Sequence, residues 1–205
     1  MHFTTINQFL DFLKDNSFLF SQEEIEKIHQ MANSQHPKIT LVTCSDSRIG
    51  TEFFKINPLD TVFVIRNIGN TILANEGSVE YGVEHLETPI LLILGHTNCG
   101  AVKAWLKEYH NSSSAIKREL SYLAPALWEV DKSQDFQKQW LDWVKKNLDL
   151  QLEIAYDKFK ERVEKWKLII VGAILDLDNS LEEWYGKLHI HKIFMKNDKI
   201  EIDIY

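Results

Sequence analysis

Two short stretches hold the residue types that do chemistry: Cys44-Ser45-Asp46-Ser47-Arg48 and, about fifty residues on, His96-Thr97-Asn98-Cys99. A cysteine in the first serves as a nucleophile, a metal ligand or a packing residue, and that stretch alone does not choose. The second supplies the discriminating pattern. Two ligand types three residues apart at the mouth of a helix make a compact chelate, and a third from a neighbouring strand end completes a Cys2His set with one position left for water. Cys44, His96 and Cys99 therefore propose a catalytic zinc site. The competing reading, two cysteines packed as small hydrophobes and a satisfied histidine, accounts for each residue singly. It does not account for all three at strand ends beside an acid and a base. Asp46 and Arg48 alternate with Cys44, so an extended chain would put thiol, carboxylate and guanidinium on one side.

These residues need elements to position them. Ile39, Leu41 and Val42, with Thr40 and Thr43, form a near-continuous apolar run, the pattern of a strand buried on both faces. Thr61–Arg66 reads as a second strand. Asn75–Glu87 fits a helix with Val79, Val83 and Leu86 on one stripe, and Pro89 breaks it. Ile90–Leu94 is a third strand, stopped by Gly95, and Ala101–Lys107 begins a helix. Strand, helix, strand with short joins predicts a parallel sheet, whose ligands gather beyond the carboxyl ends of its strands.

The flanks are coarser. Phe9, Leu10, Phe12 and Leu13 have helical spacing, and Ser21 with Glu24 is a capping box ahead of Ile25, Ile28 and Met31. Pro37 turns the chain into the first strand. Tyr109–Ser114 reads as an exposed loop. Ala115–Lys165 is helical with a break near Asp131–Gln134, and Trp128, Trp140 and Trp143 sit on its apolar positions as core. Lys167–Ile174 is a fourth strand. Leu188–Met195 and Ile200–Tyr205, joined across Asn197-Asp198, predict a hairpin on the sheet edge, with His189 and His191 as surface histidines. The expected fold is a single α/β domain with a mostly parallel central sheet flanked by helices, N-terminal helices and a C-terminal antiparallel strand or hairpin. Residues 1–35 form its helical arm, 36–107 its zinc-site core, and 108–205 its helical segment and last strands.

Composition narrows the partners. A chain of 205 residues, 44% of them hydrophobic, buries a core without staples. The net charge of −7 and the lack of a basic patch argue against nucleic acid. No apolar run reaches membrane-spanning length. Two cysteines far apart, and an N-terminus without a secretory pattern, predict a reducing, cytoplasmic location.

The motifs resemble the β-class carbonic anhydrases. Cys44–Arg48 (C-S-D-S-R), Arg66–Asn70 (R-N-I-G-N), Ser78–Tyr81 (S-V-E-Y) and Gly95–Gly100 (G-H-T-N-C-G) stand in that family's order. The resemblance covers roughly Gln35 to Lys107. It implies zinc on Cys44, His96 and Cys99, Asp46 and Arg48 as a catalytic dyad, and reversible hydration of CO2 to bicarbonate and a proton by zinc-bound hydroxide. It also implies a homodimer or tetramer. Gln35, Phe63 and Tyr81 fall where the plant-type branch has its substrate pocket, with Gly100 beside them, and Leu41 stands where the bicarbonate-inhibited branch carries tryptophan. Carbon disulfide or carbonyl sulfide hydrolysis on the same site, a zinc-stabilised scaffold without activity, and a cysteine hydrolase are the alternatives.

Overall fold

The computed structural model describes residues 5–15, 21–127, 135–182, 184–196 and 198–201. They fall into two compact units, Met1–Gln35 and His36–Tyr205. The first holds α1 (Ile6–Asp15) and α2 (Gln22–Gln30). The capping box at α2 is closed in both directions: Ser21 Oγ accepts from Glu24 N–H at 3.3 Å, and Glu24 Oε2 accepts from Ser21 N–H at 2.7 Å.

The second unit is built on six strands: β1 (Ile39–Cys44), β2 (Val62–Asn67), β3 (Ile90–His96), β4 (Ile169–Leu175), β5 (Leu188–Met195) and β6 (Asp198–Glu201), in the order β2-β1-β3-β4-β5-β6. The first four are parallel, and β5 and β6 add antiparallel at the edge, as the mostly parallel sheet with a C-terminal hairpin predicts. Helices α3 (Glu76–Glu80), α4 (Gly100–Glu108), α5 (Ser114–Ser121), α6 (Ala124–Leu127) and α7 (Phe136–Glu164) complete it. The predicted break at Asp131–Gln134 and Trp128 lie outside the described residues.

The strand order matters to function. From β1 the chain first goes to one side, to β2, and then to the other, to β3. The crevice between the carboxyl ends of β1 and β3 is thus the topological switch point, where open parallel sheets bind ligands.

Both faces of β1 are covered. Val42, Ile65, Leu91, Ile93 and Ile170 meet Val79, Val83 and the Val144, Leu148, Leu152 and Phe159 stripe of α7. Leu41, Leu92, Leu94 and Leu175 face the other way, onto Ile49, Phe53 and Phe54. Leu148 and Leu152 are fully buried, so truncating either to Ala costs about 2 to 5 kcal/mol.

Two predicted elements end differently. The β3 ladder runs through Gly95 to His96, which pairs with Leu175, so the histidine is itself held in the sheet. The helix predicted over Asn75–Glu87 opens into a π-turn, Tyr81–His85, closed by Leu86 N–H on the Tyr81 carbonyl at 2.9 Å. Close packing drives this: Gly82 lies so near Thr40 of β1 that a Cβ would strike its hydroxyl.

Candidate metal centre

Cys44 is the last residue of β1. Beyond it the backbone turns rather than staying extended: Arg48 N–H donates to Asp46 Oδ1 at 3.0 Å, and Ile49 N–H to the Asp46 carbonyl at 3.0 Å. The alternation expected from sequence is therefore not what pairs the acid with the base. The aspartate's own turn does it, a habit of this side chain. Arg48 then grips the carboxylate with both ends, Nε on Oδ1 at 2.9 Å and Nη2 on Oδ2 at 2.7 Å. The Arg48 hydrogen bond holds the Asp46 carboxyl well below the usual carboxylate range, against the opposing effect of burial. Arg48 Nη2 also donates to the Asn98 carbonyl at 3.1 Å, so one guanidinium ties the two arms together.

On the second arm, Asn98 takes a left-handed φ of 57°, which brings the chain round so that Cys99 caps α4. His96 Nδ1 lies 2.9 Å from the Thr97 carbonyl, which fixes the proton on that nitrogen and leaves a lone pair on Nε2. Nε2 is buried with no hydrogen-bond partner. The sulfurs of Cys44 and Cys99 and a nitrogen of His96 all lie within 4.8 Å of one another. Tetrahedral zinc bonds to sulfur and nitrogen place such atoms roughly 3.3 to 3.8 Å apart, so a small contraction closes the set. Asp46 Oδ2 stands 3.9 Å from His96 Nε2.

The two sulfurs act on each other in opposite directions. The hydrogen bond from Cys99 pushes the Cys44 thiol down to about 4, against the opposing effect of burial. The same bond, with burial, pushes the Cys99 thiol up. Two thiol sulfurs and an imidazole nitrogen converging on one point suit a divalent cation of borderline softness. The donor set fits zinc.

The pocket residues are placed less tightly. Phe63 on β2 and Tyr81 have ring centroids 5.9 Å apart, and Tyr81 also stacks on His85 at 4.6 Å. Gly100 begins α4 with open space where a Cβ would point. Gln35 is the last residue of the N-terminal unit and is exposed.

Several supporting residues went unassigned in the sequence. Arg66 donates Nε to the Cys44 carbonyl at 3.1 Å and Nη2 to the Asp46 carbonyl at 2.7 Å. Trp140 of α7 donates its indole N–H to the Cys99 carbonyl at 2.9 Å. Asp176, fully buried beyond β4, accepts from Thr97 Oγ1 at 3.2 Å and from the backbone of Ser180 and Leu181. An acid directly after a buried strand is the visible signal for Asp176; nothing in the pattern separates Trp140 from a packing tryptophan. The surface reading of two histidines is corrected. A bulge at Gly172/Ala173 turns His189 inward to 6% exposure, and His191 Nε2 bonds Asp149 at 2.9 Å.

Comparison with known proteins agrees. The family model described as carbonic anhydrase matches residues 39–181. Carbonic anhydrase 2 of Mycobacterium tuberculosis is 40% identical over 158 residues, 73% of this chain and 74% of that protein. The carbonic anhydrase of Synechococcus elongatus is 41% identical over 85 residues, 38% of this chain, a stretch that spans only 31% of that relative. Among solved structures, the tetrameric β-carbonic anhydrases of Sordaria macrospora superpose with a TM-score of 0.72 at 22% identity, covering 90% of this chain and 96% of theirs. That likeness is one of fold.

Proposed function

The chain belongs to the carbonic anhydrase family, in its β class, and from that membership we propose that it is a zinc enzyme interconverting carbon dioxide and bicarbonate. One observation carries the reading: three buried metal-ligand atoms converge at the switch point with an ion-paired carboxylate 3.9 Å from the ligand nitrogen.

Cys44, His96 and Cys99 hold the metal. Zinc bound there acts as a Lewis acid on water, less strongly than where three histidines hold it, because two thiolates cancel its charge. Asp46 accepts a proton of the attacking water in a hydrogen bond and so turns its lone pair toward the substrate carbon. Arg48 keeps that carboxylate ionised and turned away from the ligand set, so that Asp46 does not itself fill the fourth position. Phe63 and Tyr81 form the apolar wall of a plant-type pocket, Gln35 donates its amide to a substrate oxygen, and the Gly100 backbone leaves room beside them. Residues 36–107 form the catalytic core, 1–35 an arm and 108–205 its support. The working state is a cytoplasmic homodimer or tetramer; the Sordaria relatives are tetrameric. No described helix is long and apolar enough to cross a membrane.

Stopped-flow CO2 hydration on protein of known zinc content tests this. Three-histidine sites bring bound water to a pKa of about 7. Here activity should rise to a midpoint above that and vanish in Asp46→Ala. Full zinc occupancy without hydration at any pH would sink the proposal.

A further inference from the structure

β3 and β4 end side by side, and the residues just past them, Thr97 and Asp176, are buried to 1% and 0% exposure. A carboxylate at such depth persists only where donors surround it. Asp176 Oδ1 accepts from Thr97 Oγ1 at 3.2 Å, from Ser180 N–H at 3.1 Å and from Asp178 N–H at 3.2 Å, and Oδ2 accepts from Leu181 N–H at 2.9 Å. An asparagine would not serve here, because its NH2 would meet another donor whichever way it turned. The backbone donors, from Asp178, Ser180 and Leu181, fold the chain beyond β4 into a turn. The bond from Thr97 leaves that turn.

It reaches the second metal arm, where Thr97 follows His96. Thr97 N–H donates to the Leu175 carbonyl at 3.0 Å, and its hydroxyl accepts from Leu177 N–H at 2.8 Å, which directs the hydroxyl proton at Asp176. The N–H bond settles the peptide before the Thr97 Cα, and the side-chain bonds settle the Cα itself. From there the carbonyl departs to meet His96 Nδ1 at 2.9 Å. A carbonyl only accepts, so Nδ1 carries the proton and Nε2 is left free to bind metal. The ring is therefore as well fixed as the Thr97 carbonyl, and that carbonyl is held from β4.

We propose that Asp176 is a positioning residue of the metal centre: acting through the Thr97 hydroxyl, it fixes the carbonyl that holds His96 Nδ1–H and so the direction of Nε2. This rests on the zinc reading. An acceptor on the far nitrogen of a ligand histidine sets its tautomer and ring orientation. Here that acceptor is a backbone carbonyl, and the carboxylate stands one residue behind it.

The test is spectroscopic as well as kinetic. Thr97→Val keeps the side-chain shape and the backbone bonds of Asp176 but removes the hydroxyl. Its release of zinc to a chelator should run about tenfold faster, the lower end of the scale for losing a group behind a metal ligand. By NMR of zinc-loaded protein with isotope-labelled histidine, the His96 Nδ1–H should also exchange with water faster than in wild type. Thr97→Ser, which restores the hydroxyl, should restore both readouts. Asp176→Ala should match Thr97→Val, and the double variant should release zinc no faster than either single one, since residues acting in series are not additive. Thr97→Val decides the matter if Asp176→Ala does not fold. A merely structural role would lower the melting temperature and leave both readouts in place. Folded Thr97→Val with wild-type zinc release and exchange overturns the proposal, and so does additive acceleration in the double variant. Wild-type protein that takes up no zinc would sink the zinc reading and the relay with it. Wild-type protein that binds zinc while the variants match it would sink the relay alone.

Discussion

His96 and His189 are both buried, at 1% and 6% exposure, and in each the Nε2 meets no hydrogen-bond partner. Their surroundings differ. His96 ends a parallel strand at the switch point, has its Nδ1 fixed by the Thr97 carbonyl, and faces two sulfurs, one of them pushed down to about 4. His189 lies in the antiparallel part of the sheet, where burial, and then the Lys187 and Lys145 charges, push its pKa down and favour the neutral ring. Among the described residues, only Cys44, His96 and Cys99 bring three ligand-type atoms together. An orphaned ring nitrogen therefore indicates a metal only where other donors converge and the second nitrogen is spoken for. Without those, it is a histidine that burial keeps uncharged.

Removing a donor from each region tests that contrast most severely. Cys99→Ser should reduce bound zinc from about one ion per chain to a small fraction, since three protein ligands are the minimum of such sites. His189→Ala should leave zinc content unchanged. Metal analysis after gel filtration measures both, and loss of zinc from His189→Ala would erase the distinction.

A second pair compares carboxylates. Asp46 is gripped by Arg48, and Asp149 of α7 takes His191 Nε2 at 2.9 Å and Lys192 Nζ at 2.8 Å from β5. The first lies within one turn and the second joins α7 to β5, and only Asp46 stands beside the ligand set. Asp46→Asn should keep its zinc and lose roughly 100-fold in CO2 hydration, the scale of a group that handles a proton in the transition state. Asp149→Asn should hydrate CO2 at the wild-type rate. Equal losses in the two variants would mean that the bridge between α7 and β5 also shapes the site.

The two regions were not equally legible in the sequence. The metal arms could be read because a short apolar run fixes where a strand ends and because cysteine and histidine have few other uses together. Local chemistry decided both. The pairing of Asp46 with Arg48 was expected for the wrong reason, extended alternation, since a side chain bonding its own backbone leaves no periodic signal. The inward turn of His189 depended on a bulge opposite Gly172, a tertiary event that alternation cannot register. The bond from Trp140 was hidden for a related reason: it occupies a core position of a 29-residue helix, and which loop it reaches is set by docking rather than by the helix. The π-turn at Tyr81 likewise goes with the close approach of Gly82 to Thr40, a contact between residues far apart in sequence.

The smallest effect concerns how the Asp149 bridge holds. Burial raises the Asp149 carboxyl, but the hydrogen bonds from His191 and Lys192 outweigh it, and the net shift is downward. A carboxyl depressed in the folded state adds stability that is fully present above the unfolded value of about 3.9 and is lost as pH falls through the folded value. Asp149 is 39% exposed, so solvent screens the pair and the contribution is about 1 kcal/mol. Wild type should therefore outlast Asp149→Asn in urea by that margin at pH 6, and the two curves should converge as pH falls below about 4. The charge on Lys192 does not titrate in that window, so convergence would identify the aspartate as the group that is lost. A gap that persisted in acid would mean that Asp149 joins α7 to β5 by shape and neutral hydrogen bonds. The antiparallel region would then owe nothing to charge, while the metal centre, where Arg48 must keep Asp46 ionised, would still depend on it.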